Sequence, residues 1–328
     1  MPTDPLVSII VPVYNREKTL ETSIRSIQNQ KYSNWSLLIV NDNSTDKTPQ
    51  IIKRLAEEDP RIHSILNTDY SHSCAGARLS GIDCIEGKYT AFLDSDDTWP
   101  DYHLDEFVTY LEAHDNVDYI FGDIQREDID GNILTPSKFV DEKGLPSDIN
   151  ITWNGEIGIL DDKDILCKSI RSRFNTGMQT SLFRSNFFDR IILKDVYGCE
   201  DALLTLEAVA SEMRIAVSKK IHLNYLVHDD NISGANAEID FHHALKNCTA
   251  EIKLLTEYIP KYINLDRSSK SALSTKLADT YVWHLGNSIY RKNGERWNAC
   301  KAISKGILKK PFRFSYWKTL LGSLIFTR

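Results

Sequence analysis

Tyr89-Thr90-Ala91-Phe92-Leu93-Asp94-Ser95-Asp96-Asp97 sets an apolar run directly against three carboxylates within four residues. A short apolar run that ends in a polar turn reads as a buried strand. Like charges a few ångströms apart at its exit raise one another's pKa unless a cation compensates. A hard divalent ion with oxygen ligands is the economical compensation, and such an ion takes substrate phosphates as further ligands. The bland alternative is a solvated acidic turn that caps the next helix. A second acid at a neighbouring strand end favours the ion.

Working outward, the same strand-then-polar-turn unit repeats. Val7 to Val11 is a β-branched run stopping at Pro12, with Tyr14 and Asn15 beyond it, and Leu37 to Val40 ends in Asn41-Asp42-Asn43-Ser44. Further strands are expected at 62–66 and 117–121. Apolar residues at helical spacing fall between them, as in Leu20, Ile24 and Ile27, or Leu104, Phe107, Val108 and Leu111. Regular strand–helix alternation with short connections predicts an α/β fold with a mainly parallel sheet flanked by helices. From 122 to 200 the pattern is irregular, with Asp128 to Gly131 reading as a hairpin turn. Residues 200–212 read as a helix and 221–227 as a strand. Beyond Gly234 the texture is helical, so the expected organisation is a domain over 1–235, in halves of 1–120 and 121–235, followed by a helical region over 236–328.

The 328 residues are 41% hydrophobic and 26% charged, which excludes disordered, collagen-like and coiled-coil chains. A net charge of −7 argues against a nucleic-acid binder across the whole surface. That total hides an asymmetry: from Arg291 onward ten Lys/Arg face the single acid Glu295, so the tail carries +9 and the rest −16. Six scattered cysteines without a C-x-x-C pair suggest a reducing compartment. Met1-Pro2-Thr3-Asp4-Pro5 has neither the basic start nor the apolar core of a secretory signal, so residues 1–290 read as cytosolic.

Ligands of an open α/β sheet bind at the carboxyl ends of its strands. The first turn lacks G-x-G-x-x-G, which weakens a dinucleotide dehydrogenase, and no G-x-x-x-x-G-K-[ST] marks a P-loop. A nucleotide must be held otherwise. Asp42 can accept from an N–H of a base, Tyr14 can offer an aromatic face, and Arg78 can reach base or phosphates.

Val7 to Asn15, Val40 to Asp46, Ala77-Arg78 with Gly81-Ile82, Phe92 to Asp97 with Pro100, Gly198 to Asp201, and Tyr225 to His228 with Ile232-Ser233 together resemble, in order and spacing, the motifs of family 2 glycosyltransferases. The resemblance implies a GT-A fold (Rossmann-like, with a helical C-terminal extension here) and inverting transfer from a nucleotide-sugar. It implies that Asp42 reads the base beside Tyr14, that Pro12, Arg78, Asp94 and Ser95 belong to the nucleotide site, and that Asp96 is the direct ligand of Mn2+ or Mg2+. Asp201 matches the catalytic base. His228 matches a histidine near metal or diphosphate, and a plain loop histidine is the alternative. Asp97, Glu200, Trp153 and Gln179 become candidates for contact with donor or acceptor. Asn41, Leu79 and Leu226 depart from the family, where Asp, Asn and Arg are frequent.

The expected partners are a nucleotide-diphosphate sugar, such as a UDP-sugar, and a hydroxyl of a glycan or lipid-linked oligosaccharide in bacterial surface polysaccharide synthesis. The expected enzyme is a metal-dependent hexosyl- or N-acetylhexosaminyl-transferase. Residues 301–328 carry seven Lys/Arg and no acid, with aromatics interleaved. This suits an anionic membrane surface, hence a peripheral place on the cytoplasmic face of the inner membrane; a docking helix with a solvated charged face is the alternative. Two other functions fit less well. A nucleotidyltransferase would carry a glycine-rich basic loop where Tyr14-Asn15-Arg16-Glu17 stands, and a non-catalytic nucleotide-sugar-binding module would have lost the base or the D-x-D.

Overall fold

All seven residues of the first strand, β1 (Val7–Val13), are buried, as a strand covered on both faces requires. The computed structural model describes residues 4–141, 144–172, 174–228 and 241–325. After β1 come α1 (Leu20–Gln28), β2 (Trp35–Asn41), α2 (Thr48–Glu58), β3 (Ile62–Leu66), α3 (Cys74–Ile82), β4 (Tyr89–Phe92), α4 (His103–Ala113) and β5 (Tyr119–Glu127). Then follow β6 (Ile133–Thr135), α5 (Lys138–Asp141), β7 (Ile151–Asn154), β8 (Ile157–Leu160), α6 (Ile165–Ser172), β9 (Ser181–Arg184), α7 (Phe187–Arg190), α8 (Glu200–Ala210) and β10 (Ile215–Leu226). The sheet runs β3-β2-β1-β4-β9-β5-β10-β8-β7, with β6 beside β5.

The β3-β2-β1-β4 half is parallel, as the alternation predicts. The other half is mixed. Four-residue β9 inserts antiparallel between β4 and β5, and the β7–β8 hairpin turns at Gly155, whose φ is +65°. The chain passes from β1 to β2 and β3 on one side and then returns to β4 on the other. This reversal opens a crevice at the carboxyl ends of β1 and β4, where ligands of such sheets bind.

Pro12 does not stop β1 as expected; it pairs in register with Val40. Val13 turns its carbonyl toward β2, where it accepts the Asp42 N–H at 2.8 Å. The neighbouring Pro12 therefore points its missing donor toward β4, whose pairing has already ended at Ile10 with Phe92. No ladder bond is lost, and β1 and β4 part at this residue.

The chain falls into two units, one of Met1–Asp162 with Asn175–Val227, the other of Lys163–Phe174 with His228–Arg328. Residues 163–174, expected in the acceptor-side half, group with the C-terminal helices. The boundary expected near 235, and the Ile232-Ser233 pair of the motif series, lie outside the described residues. The first unit's core lies between sheet and helices, around Trp35, Tyr89, Leu104 and Phe107. The second unit contains α9 (Phe241–Lys253), a π-turn over Leu254–Tyr258, α10 (Ile259–Tyr262), α11 (Arg267–Asp279), a π-wound stretch over Thr280–Arg291, α12 (Arg296–Lys309) and α13 (Phe314–Ile325).

Within that second unit α13 is docked at its start. Tyr316 is buried against Ala278, Val282, Ile303 and Ile307, and Arg313 pairs with Asp279 at 2.7 Å. Around this anchor Leu308, Phe312, Phe314, Trp317 and Leu321 remain exposed. No helix among the described residues is long and apolar enough to cross a membrane.

Candidate active site

The loops leaving β1 and β2 brace each other. Asn15 and Asn43 adopt left-handed backbone, φ +49° and +63°, a conformation that asparagine tolerates better than most side chains. The Asn15 N–H donates to Ser44 Oγ at 3.0 Å, and Asn15 Oδ1 accepts the Thr45 N–H at 2.8 Å. Tyr14 is left exposed at the mouth while Asp42 is buried behind it. Asp42 Oδ1 accepts from Asn67 Nδ2 at 2.7 Å and lies 3.2 Å from His72 Nδ1. Asn67 is itself fixed by the Ser80 hydroxyl, which donates to its Oδ1 at 2.8 Å. Sequence reading passed over Asn67 and His72. Their signal is position alone: β3 runs beside β2, so polar residues just past β3 reach the end of β2.

The aspartate loop after β4 is tied down on every side. The Asp97 N–H closes a turn onto the Asp94 carbonyl at 3.1 Å, and the Ser95 carbonyl accepts from Thr19 Oγ1 at 3.0 Å. Asp97 is fully buried, its Oδ1 accepting the Leu226 N–H from β10 at 3.0 Å. Where the family often has Arg at this position of β10, the backbone amide holds the loop. Burial, with the charges of Asp96 and Asp94, pushes the Asp97 carboxyl well above its ordinary range. Asp96 meets Arg16, whose Nε donates to Oδ2 at 3.2 Å. Arg16 is a further site residue that sequence reading missed.

Arg78 stands mid-way along α3 with its side chain 3% exposed. Its guanidinium was expected at base or phosphates; it bonds three carboxylates. One terminal nitrogen donates to Asp94 Oδ1 at 2.6 Å, the other to Glu200 Oε1 at 3.0 Å and Asp201 Oδ1 at 3.4 Å. Burial opposes this positive charge, and the surrounding acids outweigh it. Glu200 and Asp201 open α8, where helix-end amides favour acids. Burial raises the Glu200 carboxyl to about 7, although Arg78 pulls it down. The structure thus brings Asp94, from the β4 exit, together with Glu200 and Asp201 about one cation.

Gln179 gives its carbonyl to Trp99 Nε1 at 2.8 Å, while its side-chain oxygen is buried without a partner. Trp153 on β7 is partly exposed, with Lys219 Nζ 4.4 Å from its ring centre. His228 lies just beyond β10 and opens the second segment of the second unit. His222, read as structural, is fully buried and stacked on Phe107.

Among the described residues no three His, Cys, Asp or Glu side chains converge as ligands of one ion. The donor set nevertheless fits a hard divalent cation. Asp94 and Asp96 offer carboxylate oxygens, both compensated here by arginines, and the buried Asp97 Oδ2 has no partner.

A doubly flanked sheet with acids gathered at its switch point defines an α/β class whose ligands bind at the strand ends. The family model described as glycosyl transferase family 2 matches residues 8–181, and the chain belongs to that family. It is 31% identical over 201 residues to the Campylobacter jejuni GalNAc(5)-diNAcBac-PP-undecaprenol beta-1,3-glucosyltransferase, covering 61% of this chain and 58% of that protein. It is 37% identical over 145 residues to the Escherichia coli UDP-Glc:alpha-D-GlcNAc-diphosphoundecaprenol beta-1,3-glucosyltransferase WfgD, covering 43% and 56%. The chain thus spans less than three fifths of the length of these relatives. In fold it is similar to Staphylococcus aureus TarS 1-349 solved with UDP-GlcNAc, at TM-score 0.61 and 18% identity over 97% of this chain and 88% of that one. The mannosyltransferase PcManGT from Pyrobaculum calidifontis, solved with GDP-Man and Mn2+, gives 0.56 and 15%, over 99% and 87%. The expected GT-A fold with a helical C-terminal region is the one observed.

Proposed function

We propose that this chain is an inverting transferase that moves a hexosyl or N-acetylhexosaminyl group from a UDP-sugar to a hydroxyl of a lipid-linked glycan. The observation that supports the reading is the convergence on Arg78 of Asp94 at 2.6 Å, read as the leaving-group side, and Asp201 at 3.4 Å, read as the base. The relatives' undecaprenol-linked substrates support the acceptor class and a place in bacterial surface polysaccharide synthesis.

In this reading Asp42 accepts from the base N–H while Tyr14 and Pro12 line its slot. Asp94, Ser95 and Asp96 take the diphosphate end, where a bound Mn2+ or Mg2+ supplies Lewis-acid stabilisation of the departing phosphate. Asp96 would be the ion's direct ligand. Asp201 removes the acceptor hydroxyl proton as the new carbon–oxygen bond forms at the anomeric carbon. The old bond breaks with its electron pair leaving on the diphosphate, so the configuration inverts. Asp97, Glu200, Gln179 and Trp153 are candidates to position sugar or acceptor. The domain division read from the sequence, with nucleotide and acceptor halves over 1–120 and 121–235, belongs to the same proposal.

The C-terminal surface supports a peripheral place on the cytoplasmic face of the inner membrane, with the basic tail against anionic lipid. The experiment is transfer from UDP-sugars to an undecaprenyl-diphosphate glycan with Mn2+. Asp201→Asn is expected to lose about 100-fold or more in turnover while binding UDP within threefold of the parent. Near-normal turnover in that variant would remove Asp201 from the base role.

A further inference from the structure

We propose that Arg78 is a positioning residue that locks the Asp201 carboxylate in register with the aspartate loop, and does not bind the donor. The inference rests on the reading of Asp201 as the base.

Three observations carry it. The first is engagement under burial: both terminal nitrogens of the guanidinium are bonded to Asp94, Glu200 and Asp201, the remaining Nε is buried without a partner, and only 2% of the residue is accessible. A base or phosphate could reach this cation only by displacing a carboxylate that would then be left without its counter-charge. The second is rigidity. Helix α3 is pressed against its surroundings at glycines: a Cβ on Gly76 would lie 2.1 Å from the Ser71 carbonyl oxygen, and one on Gly81 2.5 Å from Ile10 Cγ2. The Arg78 arm therefore leaves a fixed backbone and is pinned again at its tip. A planar fork bound at both tips is a strut, which a lysine's single ammonium cannot reproduce.

The third observation is the difference between the two acids of α8. The Glu200 side chain is 9% exposed and the Asp201 side chain 23%. The strut meets both, but only Asp201 keeps an open side for an acceptor hydroxyl. Glu200 thus fills the inner place against Arg78 and leaves the outer place to the base. General-base catalysis needs the carboxylate within about 3 Å of the proton it takes. A displacement of about 1 Å can cost 100-fold.

The test uses full-length Arg78→Met and Arg78→Lys, with a donor that the parent transfers. Turnover is expected to fall about 100-fold in the Met variant and about tenfold in the Lys variant. Calorimetric affinity for UDP with Mn2+ should not fall more than threefold in either. The donor KM should stay within threefold in both variants, so that the loss falls on kcat, and Lys should restore part of kcat. UDP affinity lowered tenfold or more would make Arg78 a donor ligand and overturn the proposal; unchanged turnover would overturn it too. Should the Met variant fail to fold by circular dichroism, the Lys variant decides on the same readouts. A crystal structure of the Lys variant gives an arm independent of activity: Asp201 is expected to leave its parent position, and an unmoved carboxylate refutes the strut. Failure of the parent to transfer from any donor strikes the proposed function instead, and is seen before any substitution is made.

Discussion

Arg16 Nε lies 3.2 Å from Asp96 Oδ2, so the carboxylate expected to meet a divalent ion already has a cation of the chain's own. Arg16 is held there from behind. Its N–H donates to Thr48 Oγ1 at 2.8 Å, and its Nη1 lies 3.4 and 3.3 Å from the carbonyl oxygens of Tyr14 and Asn15. Both side chains of the pair are largely enclosed, so the contact exceeds a freely solvated ion pair, which is worth 0–1 kcal/mol.

A divalent ion must compete with that guanidinium for Asp96. Arg16→Gln is therefore expected to bind Mn2+ about fivefold more tightly than the parent in the absence of nucleotide, as removal of roughly 1 kcal/mol of competition implies. Titration of the free Mn2+ electron paramagnetic resonance signal measures this directly. Equal or weaker binding would show that Arg16 leaves Asp96 without cost.

Glu200 provides a pH signature. Its carboxyl is raised from 4.5 to about 7, chiefly by burial. Between those values the folded chain holds a proton that the unfolded chain has released. The contribution is full below about pH 4.5 and is lost as pH rises toward 7, so the unfolding free energy falls across that window. Glu200→Gln cannot titrate. Relative to the parent it should gain stability as pH rises from 4.5 to 7.5, by something on the order of 2–3 kcal/mol. Urea unfolding of both proteins at four pH values in that range tests it. A constant difference would mean that Glu200 ionises normally in the fold.

The parallel half of the sheet and its strand-end acids are legible in the sequence because each is a local pattern: apolar runs of four or five, then a polar turn. Asp42, Asp94 and Asp201 are singled out that way, or through motif spacing. What escaped is set by contacts distant in sequence. β9 is four residues long within an irregular stretch, and its place between β4 and β5 depends on pairing with strands more than fifty residues earlier. The partners of Arg78 lie 16, 122 and 123 positions away, so its type is visible in the sequence and its carboxylate partners are not. Arg16 drew no attention because an arginine after a strand end reads as an ordinary surface charge. Pro12 misled in the other direction: a proline ends most strands, and this one continues only because its missing donor faces the point where the ladder stops.

Gly76 tests how strictly α3 must approach its neighbours. Its N–H donates to the capping Ser73 Oγ at 3.0 Å. An added Cβ would lie 2.1 Å from the Ser71 carbonyl oxygen, backbone that a rotamer change cannot relieve. In an open helix Gly→Ala stabilises by up to about 1 kcal/mol. Here Gly76→Ala is expected to destabilise by about 1–3 kcal/mol, in the range of overpacked sites, and to weaken UDP binding through the displaced Asn67–Asp42 pair. Thermal unfolding with and without UDP separates the two effects. A raised midpoint would show that the loop over 67–73 yields freely.

At the other end of the chain, the corner between α12 and α13 combines exposed aromatics with positive charge. Phe312 is 99% exposed and Phe314 80%, beside Lys309 and Lys310. The Tyr316 and Arg313 contacts to Asp279 keep α13 docked within its own unit, so these side chains project from an anchored helix start and are not needed to hold it. Apolar side chains at the headgroup boundary, reinforced by attraction to anionic lipid, are the recognised basis of interfacial binding. Full-length protein should therefore sediment with vesicles containing phosphatidylglycerol and much less with phosphatidylcholine alone. Phe312→Ser with Phe314→Ser should weaken that binding at every salt concentration. Lys309→Gln with Lys310→Gln should weaken it about tenfold or more at low salt and change little at high salt, where screening has already removed the attraction. Equal sedimentation with both lipids, or no response to either pair of substitutions, would leave α13 as a docking helix with a solvated charged face.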